Sequence, residues 1–171
     1  IAGAGSGKTR VLTTRVSYLI QEKNVLPENI LAITFTNKAA REMKERINNI
    51  LGLESRRIQI STFHSFGLLL IKQNYEKLGY KSNFTILDSD DTLTVIKKII
   101  KDMDLDVKIY NPKAIRNKIS SSKNELIDSS LYEKYVNTDY DKKVLEIFKR
   151  YETKLKVNNS LDFDDLLMQP I

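Results

Sequence analysis

The chain has 171 residues, 41% of them hydrophobic, and its 28 Lys+Arg against 22 Asp+Glu give a formal net charge of +6. This length allows one ordinary core, or one core with a small satellite domain. The absence of cysteine excludes disulfides and thiolate metal sites, and no apolar stretch approaches the roughly 20 residues of a membrane span. These observations predict a cytoplasmic protein. The basic excess lies in residues 1–80, with 12 Lys+Arg against 6 Asp+Glu, and it indicates a polyanionic partner.

The first motif is a phosphate-binding loop at residues 2–9, with the sequence AGAGSGKT. Its glycines let backbone N–H groups point at phosphate oxygens, and the following helix adds a partial positive charge at its amino end. We expect Lys8 to reach the β- and γ-phosphates of a nucleoside triphosphate and the Thr9 hydroxyl to ligate Mg²⁺. Ala2 stands where the pattern usually has glycine, but a small residue still fits the turn. The alternative, a glycine-rich turn that carries a lysine by chance, is disfavoured because helically spaced apolar residues follow.

Helices and strands are predicted to alternate in the first half of the chain, which is typical of an α/β fold with a parallel sheet. The predicted elements are a helix from the loop to about residue 24, a strand at 30–35, a helix capped by Thr36 or Asn37, a strand at 58–63 and a helix at 66–75. From about residue 83 the pattern becomes helical, with amphipathic segments at 88–101, from Asn111, and within 132–156. We therefore predict a helical subdomain over residues 83–158.

Two segments carry side chains suited to single-stranded nucleic acid. In residues 34–40 a strand ends in an aromatic ring that is followed by hydroxyl, amide and ammonium groups, and residues 61–66 combine small donors, the only histidine and two aromatic rings. Rings beside phosphate-binding donors are what a single strand requires. Taken separately, each segment has a plainer interpretation, with Phe35 and Phe63 in the core, Lys38 on the surface and His64 as a structural histidine.

In their order along the chain, the motifs resemble those of the UvrD/PcrA/Rep superfamily 1 DNA helicases. The segments that carry the resemblance are residues 2–12, 31–43, 61–65 and 161–167 (LDFDDLL). Residues 83–88 and 123–126 are most similar to the PcrA branch of Gram-positive bacteria. The resemblance implies an ATP-dependent motor that translocates 3′ to 5′ on single-stranded DNA and unwinds duplex. It further implies a partial RecA-like domain over residues 1–82, an inserted all-helical subdomain over 83–158, and a return to the motor domain over 159–171.

The resemblance also assigns site residues. Those expected at the phosphates are Ala2, Gly3, Ala4, Gly5, Ser6, Gly7, Lys8, Thr9 and Arg10, with Lys8 and Thr9 catalytic and Thr9 on Mg²⁺. Those expected on DNA are Phe35, Thr36, Asn37, Lys38, Thr62 and His64 along the single strand, with Lys123 on the duplex. The implied partners are single-stranded and duplex DNA, a second motor domain and accessory repair proteins.

Carboxylates near the end of the sequence are candidates for a different role. Asp162, Asp164 and Asp165 are predicted to cap and charge the start of a helix rather than to bind a metal ion. Because only Ile1 precedes the loop, and because the Asp-Glu motif and arginines that such motors use for hydrolysis do not follow, we expect a fragment with negligible ATPase and no helicase activity of its own. Two alternatives stay open, a non-catalytic nucleic-acid-binding protein derived from a helicase and a small P-loop kinase.

Overall fold

The computed structural model describes residues 7–171. The predicted phosphate-binding roles of Ala2, Gly3, Ala4, Gly5 and Ser6 lie outside the described residues, as does the side chain of Lys8. The chain divides into two compact units, of which the first ends at Phe66 and the second comprises Gly67–Ile171. The predicted division at residues 83 and 159 stays a prediction. No helix within residues 7–171 has both the length and the apolar character needed to cross a membrane.

The first unit alternates helices and strands, as predicted. Its elements are α1 (Lys8–Gln21), a 3₁₀ turn (Pro27–Asn29), β1 (Leu31–Thr34), α2 (Asn37–Leu51), a second 3₁₀ segment (Gly52–Arg57), β2 (Gln59–Thr62) and the start of α3 (Phe63–Asn74). The strands β1 and β2 pair in parallel, with Leu31 opposite Gln59 and Thr34 opposite Thr62. Because parallel strands point the same way, both carboxyl ends lie at one edge of this pair.

One hydrophobic cluster holds the first unit together. Its buried members come from both helices and from the strands and their flanks: Val16, Ile20, Ile30, Met43, Ile47, Ile58 and Ile60. In α2 the buried residues Ala40, Met43 and Ile47 recur at intervals of three and four, so they form one face of the helix. This face packs in the same cluster as β2, which fixes where α2 begins relative to the strand ends.

The boundary between β2 and α3 differs from the prediction. The strand ends at Thr62, and Phe63 and His64 already belong to the first turn of α3. The reason is a local cap, because the Thr62 hydroxyl oxygen accepts a hydrogen bond from the Ser65 backbone N–H at 3.2 Å. The prediction that Phe63 ends the strand is therefore wrong, and its side chain projects from a helix.

The second unit is mainly helical. Beyond the greater part of α3, it contains β3 (Thr85–Leu87), α4 (Ser89–Asp102), α5 (Pro112–Asn124), α6 (Ser129–Tyr132), a 3₁₀ turn (Glu133–Tyr135), α7 (Asp139–Val157), β4 (Ser160–Asp162) and α8 (Asp165–Met168). The helices predicted from residue 88 and from Asn111 are confirmed, with Asp88 and Asn111 as their N-caps. The largest core of this unit joins α4, α5 and α7 through residues such as Ile96, Ile115 and Phe148.

A short parallel pair connects two distant parts of this unit. The strands β3 and β4 pair with Ile86 opposite Leu161, and the hydroxyl oxygens of Thr85 and Ser160 lie 2.8 Å apart. The sequence pattern did not predict β4, because a run of three residues is too short to show alternation. The segments just before and just after the long helical stretch are therefore neighbours.

Gly67 marks a close approach between α3 and the start of α8. A Cβ atom at this position would lie 1.8 Å from the backbone oxygen of Leu166 and 2.9 Å from its carbonyl carbon. Both contacts are to backbone, which cannot rotate away as a flexible side chain does. The packing of Ile71, Leu161 and Leu166 in one cluster therefore depends on the missing side chain at Gly67.

We expect Gly67→Ala to lower the free energy of unfolding by about 1–3 kcal/mol, because the added methyl forces α3 and α8 apart. Helix propensity alone predicts the opposite sign, a gain of about 0.5–1 kcal/mol. Urea unfolding followed by circular dichroism measures the difference, with the exposed Gln73→Ala in the same helix as control. A Gly67→Ala protein as stable as the parent would contradict the close approach.

Candidate functional site

The amino end of α1 is the described part of the expected phosphate-binding loop. Gly7 is the N-cap with φ 77° and ψ 9°, a left-handed conformation that favours glycine, and no side chain caps the helix. The first turn carries no acidic residue, so no side chain of its own places a carboxylate at these N–H groups. Thr9 is half-buried and Arg10 is exposed in that turn. This geometry fits the expected triphosphate, with Thr9 as the candidate Mg²⁺ ligand in the described part of the loop.

Two phenylalanines stand at equivalent places on the carboxyl edge of the β1–β2 pair. Thr34 and Thr62 are opposite each other, and Phe35 and Phe63 each follow one of them directly. The ring centroids of the phenylalanines are 5.5 Å apart, with 51° between the ring planes. Phe35 is 89% exposed and Phe63 is 45% exposed, so the pair forms an apolar surface on the outside of the unit. The interpretation of Phe35 and Phe63 as core residues is wrong.

Threonines beside these rings cap the helices that start at the same edge. The Thr36 hydroxyl oxygen accepts a hydrogen bond from the Ala39 N–H at 3.1 Å, which starts α2. The Thr62 hydroxyl oxygen accepts from the Ser65 N–H, and the Thr62 hydroxyl donates to the Ser65 hydroxyl oxygen at 2.9 Å. Thr36 and Thr62, which are both predicted to contact DNA, therefore also stabilise the first turns of α2 and α3, next to the two rings.

The remaining predicted single-strand residues of the first unit lie at the same edge. Asn37 and Lys38 are exposed in the first turn of α2, and His64 is half-buried in the first turn of α3. Neither first turn contains an acidic residue. The edge thus combines two aromatic rings, an amide, an ammonium group and two helix amino ends, all of which suit a nucleic acid backbone with unpaired bases.

Lys123, which the resemblance assigns to duplex contact, is buried in the second unit. Its side chain is 1% exposed, and its ammonium nitrogen lies 2.7 Å from a carboxylate oxygen of Asp162 and 2.8 Å from one of Asp165. The Tyr151 hydroxyl donates to Asp162 at 2.8 Å. An ammonium group held between two buried carboxylates does not face solvent, so in this structure Lys123 is not presented to a duplex. We call these four residues the Lys123 cluster.

The two aspartates of the cluster also cap one another across the β4–α8 turn. The Asp165 N–H donates to Asp162 Oδ1 at 2.9 Å, and the Asp162 N–H donates to Asp165 Oδ2 at 3.0 Å. The prediction that these carboxylates cap the start of a helix holds for Asp162 and Asp165, but not for Asp164, which is the N-cap residue of α8 and makes no side-chain cap bond. Asp164 accepts a hydrogen bond from the Asn124 side-chain amide at 3.1 Å. Within residues 7–171 no group of three or more acidic or histidine side chains is arranged to hold a metal ion.

Burial and charge act in opposite directions on the acidity of the cluster. Burial by itself lowers the pKa of Lys123, but the charges of Asp165 and Asp162 outweigh it and raise that pKa. Burial raises the pKa of Asp165 to about 6, while the ammonium of Lys123 keeps the pKa of Asp162 below its usual value. Burial and the nearby Asp162 raise the pKa of Tyr151, which stays a hydrogen-bond donor. Near neutral pH the cluster therefore contains one cation and two carboxylates.

The chain belongs to the UvrD/REP helicase N-terminal domain family, whose pattern matches residues 1–171. Among its curated relatives are the ATP-dependent DNA helicases PcrA of Bacillus subtilis, 52% identical over 171 residues, and of Leuconostoc citreum, 45% identical over 172 residues. The PcrA helicase of Staphylococcus aureus is 44% identical over 171 residues. Each comparison covers 100% of this chain but only 23% of the relative. The chain thus spans about a quarter of the length of these proteins.

Proposed function

We propose that this sequence is part of an ATP-driven motor that translocates 3′ to 5′ along single-stranded DNA and unwinds duplex ahead of it. In this proposal it contributes the phosphate-binding loop and part of the DNA-binding edge. The observation that carries the proposal is the exposed Phe35 ring beside the amino end of α2, at the carboxyl edge of a parallel strand pair. This ring is 89% exposed and lies beside the ring of Phe63, and such a flat apolar surface is suited to stacking against a nucleic acid base.

The basic charge of the first unit also supports single-stranded DNA as the partner. Residues 1–66 contain ten Lys+Arg against five Asp+Glu, and Lys38 lies exposed three residues after Phe35. The two helices that start at this edge present their positive ends to it. A backbone phosphate held by these groups would leave its base next to the ring. The edge therefore combines electrostatic attraction with a stacking surface, which is how sequence-tolerant single-strand binding works.

For the nucleotide, we propose that residues 2–10 hold ATP and Mg²⁺. The left-handed Gly7 and the uncapped amino end of α1 support this proposal, as does the relation to proteins named ATP-dependent helicases. Bound Mg²⁺ would neutralise charge on the β- and γ-phosphates. Lys8 would position the γ-phosphate, and the Thr9 hydroxyl would hold the metal ion from the first turn of α1.

We also propose that residues 83–158 are an insertion in the motor domain; they are helical apart from β3, so the expectation that this stretch is all-helical is wrong at Thr85–Leu87. The pairing of β3 with β4 supports this, since an insertion must leave and re-enter its host at neighbouring points. The Lys123 cluster lies at the re-entry point, because Asp162 ends β4 and Asp165 begins α8. We propose a structural role for Lys123 in joining α5 to this turn, in place of the duplex contact that the resemblance implies.

Replacing Phe35 with alanine tests the DNA edge. We expect Phe35→Ala to weaken binding of a labelled oligothymidylate by about 5- to 150-fold, because stacking on an aromatic side chain contributes about 1–3 kcal/mol per base. Fluorescence anisotropy at low salt measures the affinity, since high salt masks it. The free energy of unfolding should change little, because the ring is 89% exposed.

Leu53→Ala is the matched control. Leu53 is 74% exposed and lies in the 3₁₀ segment that leads into the amino end of β2, so it is at the opposite edge of the strand pair. We expect Leu53→Ala to bind the oligonucleotide like the parent. Equal affinities for the parent and Phe35→Ala would remove the main support for DNA binding at this edge.

A further inference from the structure

We propose that Phe63 is a second base-stacking residue, which acts together with Phe35 on adjacent unpaired bases of a single strand. This inference rests on the proposed function, because it adds a residue to the same DNA-binding edge. It differs from the sequence-based assignment, which gives DNA contacts to Thr62 and His64 on either side of Phe63 but none to Phe63 itself.

The first observation is positional equivalence. Thr34 and Thr62 pair in register, so the residues that follow them, Phe35 and Phe63, leave the sheet at the same level. Phe35 lies just before α2 and Phe63 is the first residue of α3, and the first turns of both helices are free of acidic residues. A single strand that binds along this edge and contacts Phe35 is therefore also close to Phe63.

The second observation is exposure. Phe63 lies in the first turn of α3, yet 45% of the residue is exposed, and it is absent from the buried cores of the described chain. Its ring contacts the ring of Phe35 with 5.5 Å between centroids and a tilt of 51°. The rings are therefore not stacked on each other in parallel, and part of the Phe63 ring stays accessible beside that of Phe35.

The third observation is the polar surrounding. Lys38 and Asn37 are exposed close to Phe35 in sequence, and the amino ends of α2 and α3 both start at this edge. These groups favour an anionic backbone, while the rings favour flat apolar partners. Single-stranded DNA has both properties, with phosphates outside and unpaired bases free to stack. An uncharged apolar partner would leave the positive helix ends and Lys38 without a counterpart.

Phe63→Leu tests the proposal, because leucine keeps the apolar bulk but lacks a planar ring. The full-length gene product is titrated with two labelled oligonucleotides of equal length, oligothymidylate and an abasic strand that has the phosphates without bases. We expect Phe63→Leu to weaken oligothymidylate binding about tenfold and to leave abasic binding unchanged. We also expect Phe63→Trp to bind oligothymidylate at least as tightly as the parent.

Two results would overturn the proposal. Parent-like oligothymidylate affinity of Phe63→Leu, together with weakened binding by Phe35→Ala, would show that Phe35 stacks alone. Equal weakening on both oligonucleotides would show that Phe63 acts through the fold or the phosphates and not through a base. Failure of the underlying function looks different, because the parent itself would then bind neither strand.

Discussion

Lys123→Met is expected to lower the free energy of unfolding of the second unit by about 3–5 kcal/mol, although methionine has a similar length and shape. The ammonium group lies 2.7 Å from Asp162 and 2.8 Å from Asp165, and all three side chains are buried. Removing the cation leaves two carboxylates without a counter-charge in a poorly solvated place, and breaking a buried ion pair on one side has this magnitude. Chemical denaturation near pH 7 measures the loss.

The pH dependence distinguishes a charge effect from a packing effect. In Lys123→Met the buried carboxylates lack their cation, so their folded-state pKa values rise above the unfolded value of about 3.9. The folded state then binds more protons than the unfolded state, and its stability rises as the pH falls from 7 to 5. In the parent, Asp165, whose pKa is raised to about 6, gains stability in this way, but Lys123 keeps the pKa of Asp162 low, so only one of the two carboxylates contributes. The difference in the free energy of unfolding between the parent and Lys123→Met should therefore become smaller as the pH falls.

Lys118→Met is the matched control for this prediction. Lys118 lies on the same helix and pairs with Asp141 at 2.7 Å, but its side chain is 40% exposed. A pair that water reaches contributes about 1 kcal/mol or less. Two results would show that the Lys123 cluster does not stabilise the unit by charge pairing. Lys123→Met would lower the free energy of unfolding no more than Lys118→Met does, or its effect would not change with pH.

The elements with strong local patterns could be predicted from the sequence. The apolar run that contains β1 and the spacing of Ala40, Met43 and Ile47 in α2 each indicate one element type over several residues. N-cap side chains gave the starts of α4 and α5, because Asp88 and Asn111 accept bonds from the next turn. These element types and helix starts depend on neighbouring residues in the chain, so they can be predicted from the sequence.

Features that depend on distant contacts could not be predicted. The three residues of β4 form a strand because β3 lies beside them, about 75 positions earlier in the chain. Gly67 looks like any helical glycine until the Leu166 carbonyl is placed against it. For Lys123, the resemblance implies a duplex contact, and only the ion pairs with Asp162 and Asp165 show that the side chain is buried.

In the candidate site, too, some features could be predicted from local sequence and others could not. The positions of Phe35 and Lys38 follow from local sequence, because the strand β1 and the helix α2 determine where they lie. The exposure of Phe63 depends on a cap one residue earlier, since Thr62 starts α3 and turns Phe63 out of the strand. A threonine before an aromatic residue, with Ser65 three positions later, is the sequence feature that could have indicated this cap.

ATP hydrolysis by the full-length gene product, measured with and without single-stranded DNA, tests the central claim most directly. We expect DNA to stimulate hydrolysis, and Lys8→Ala to reduce the stimulated rate by about 100- to 1,000-fold, because the lysine stabilises charge on the transferred phosphoryl group. Lys23→Ala, an exposed lysine just beyond the end of α1, should behave like the parent. Hydrolysis that is indifferent to DNA, or that survives Lys8→Ala, would contradict a DNA-dependent motor at this loop.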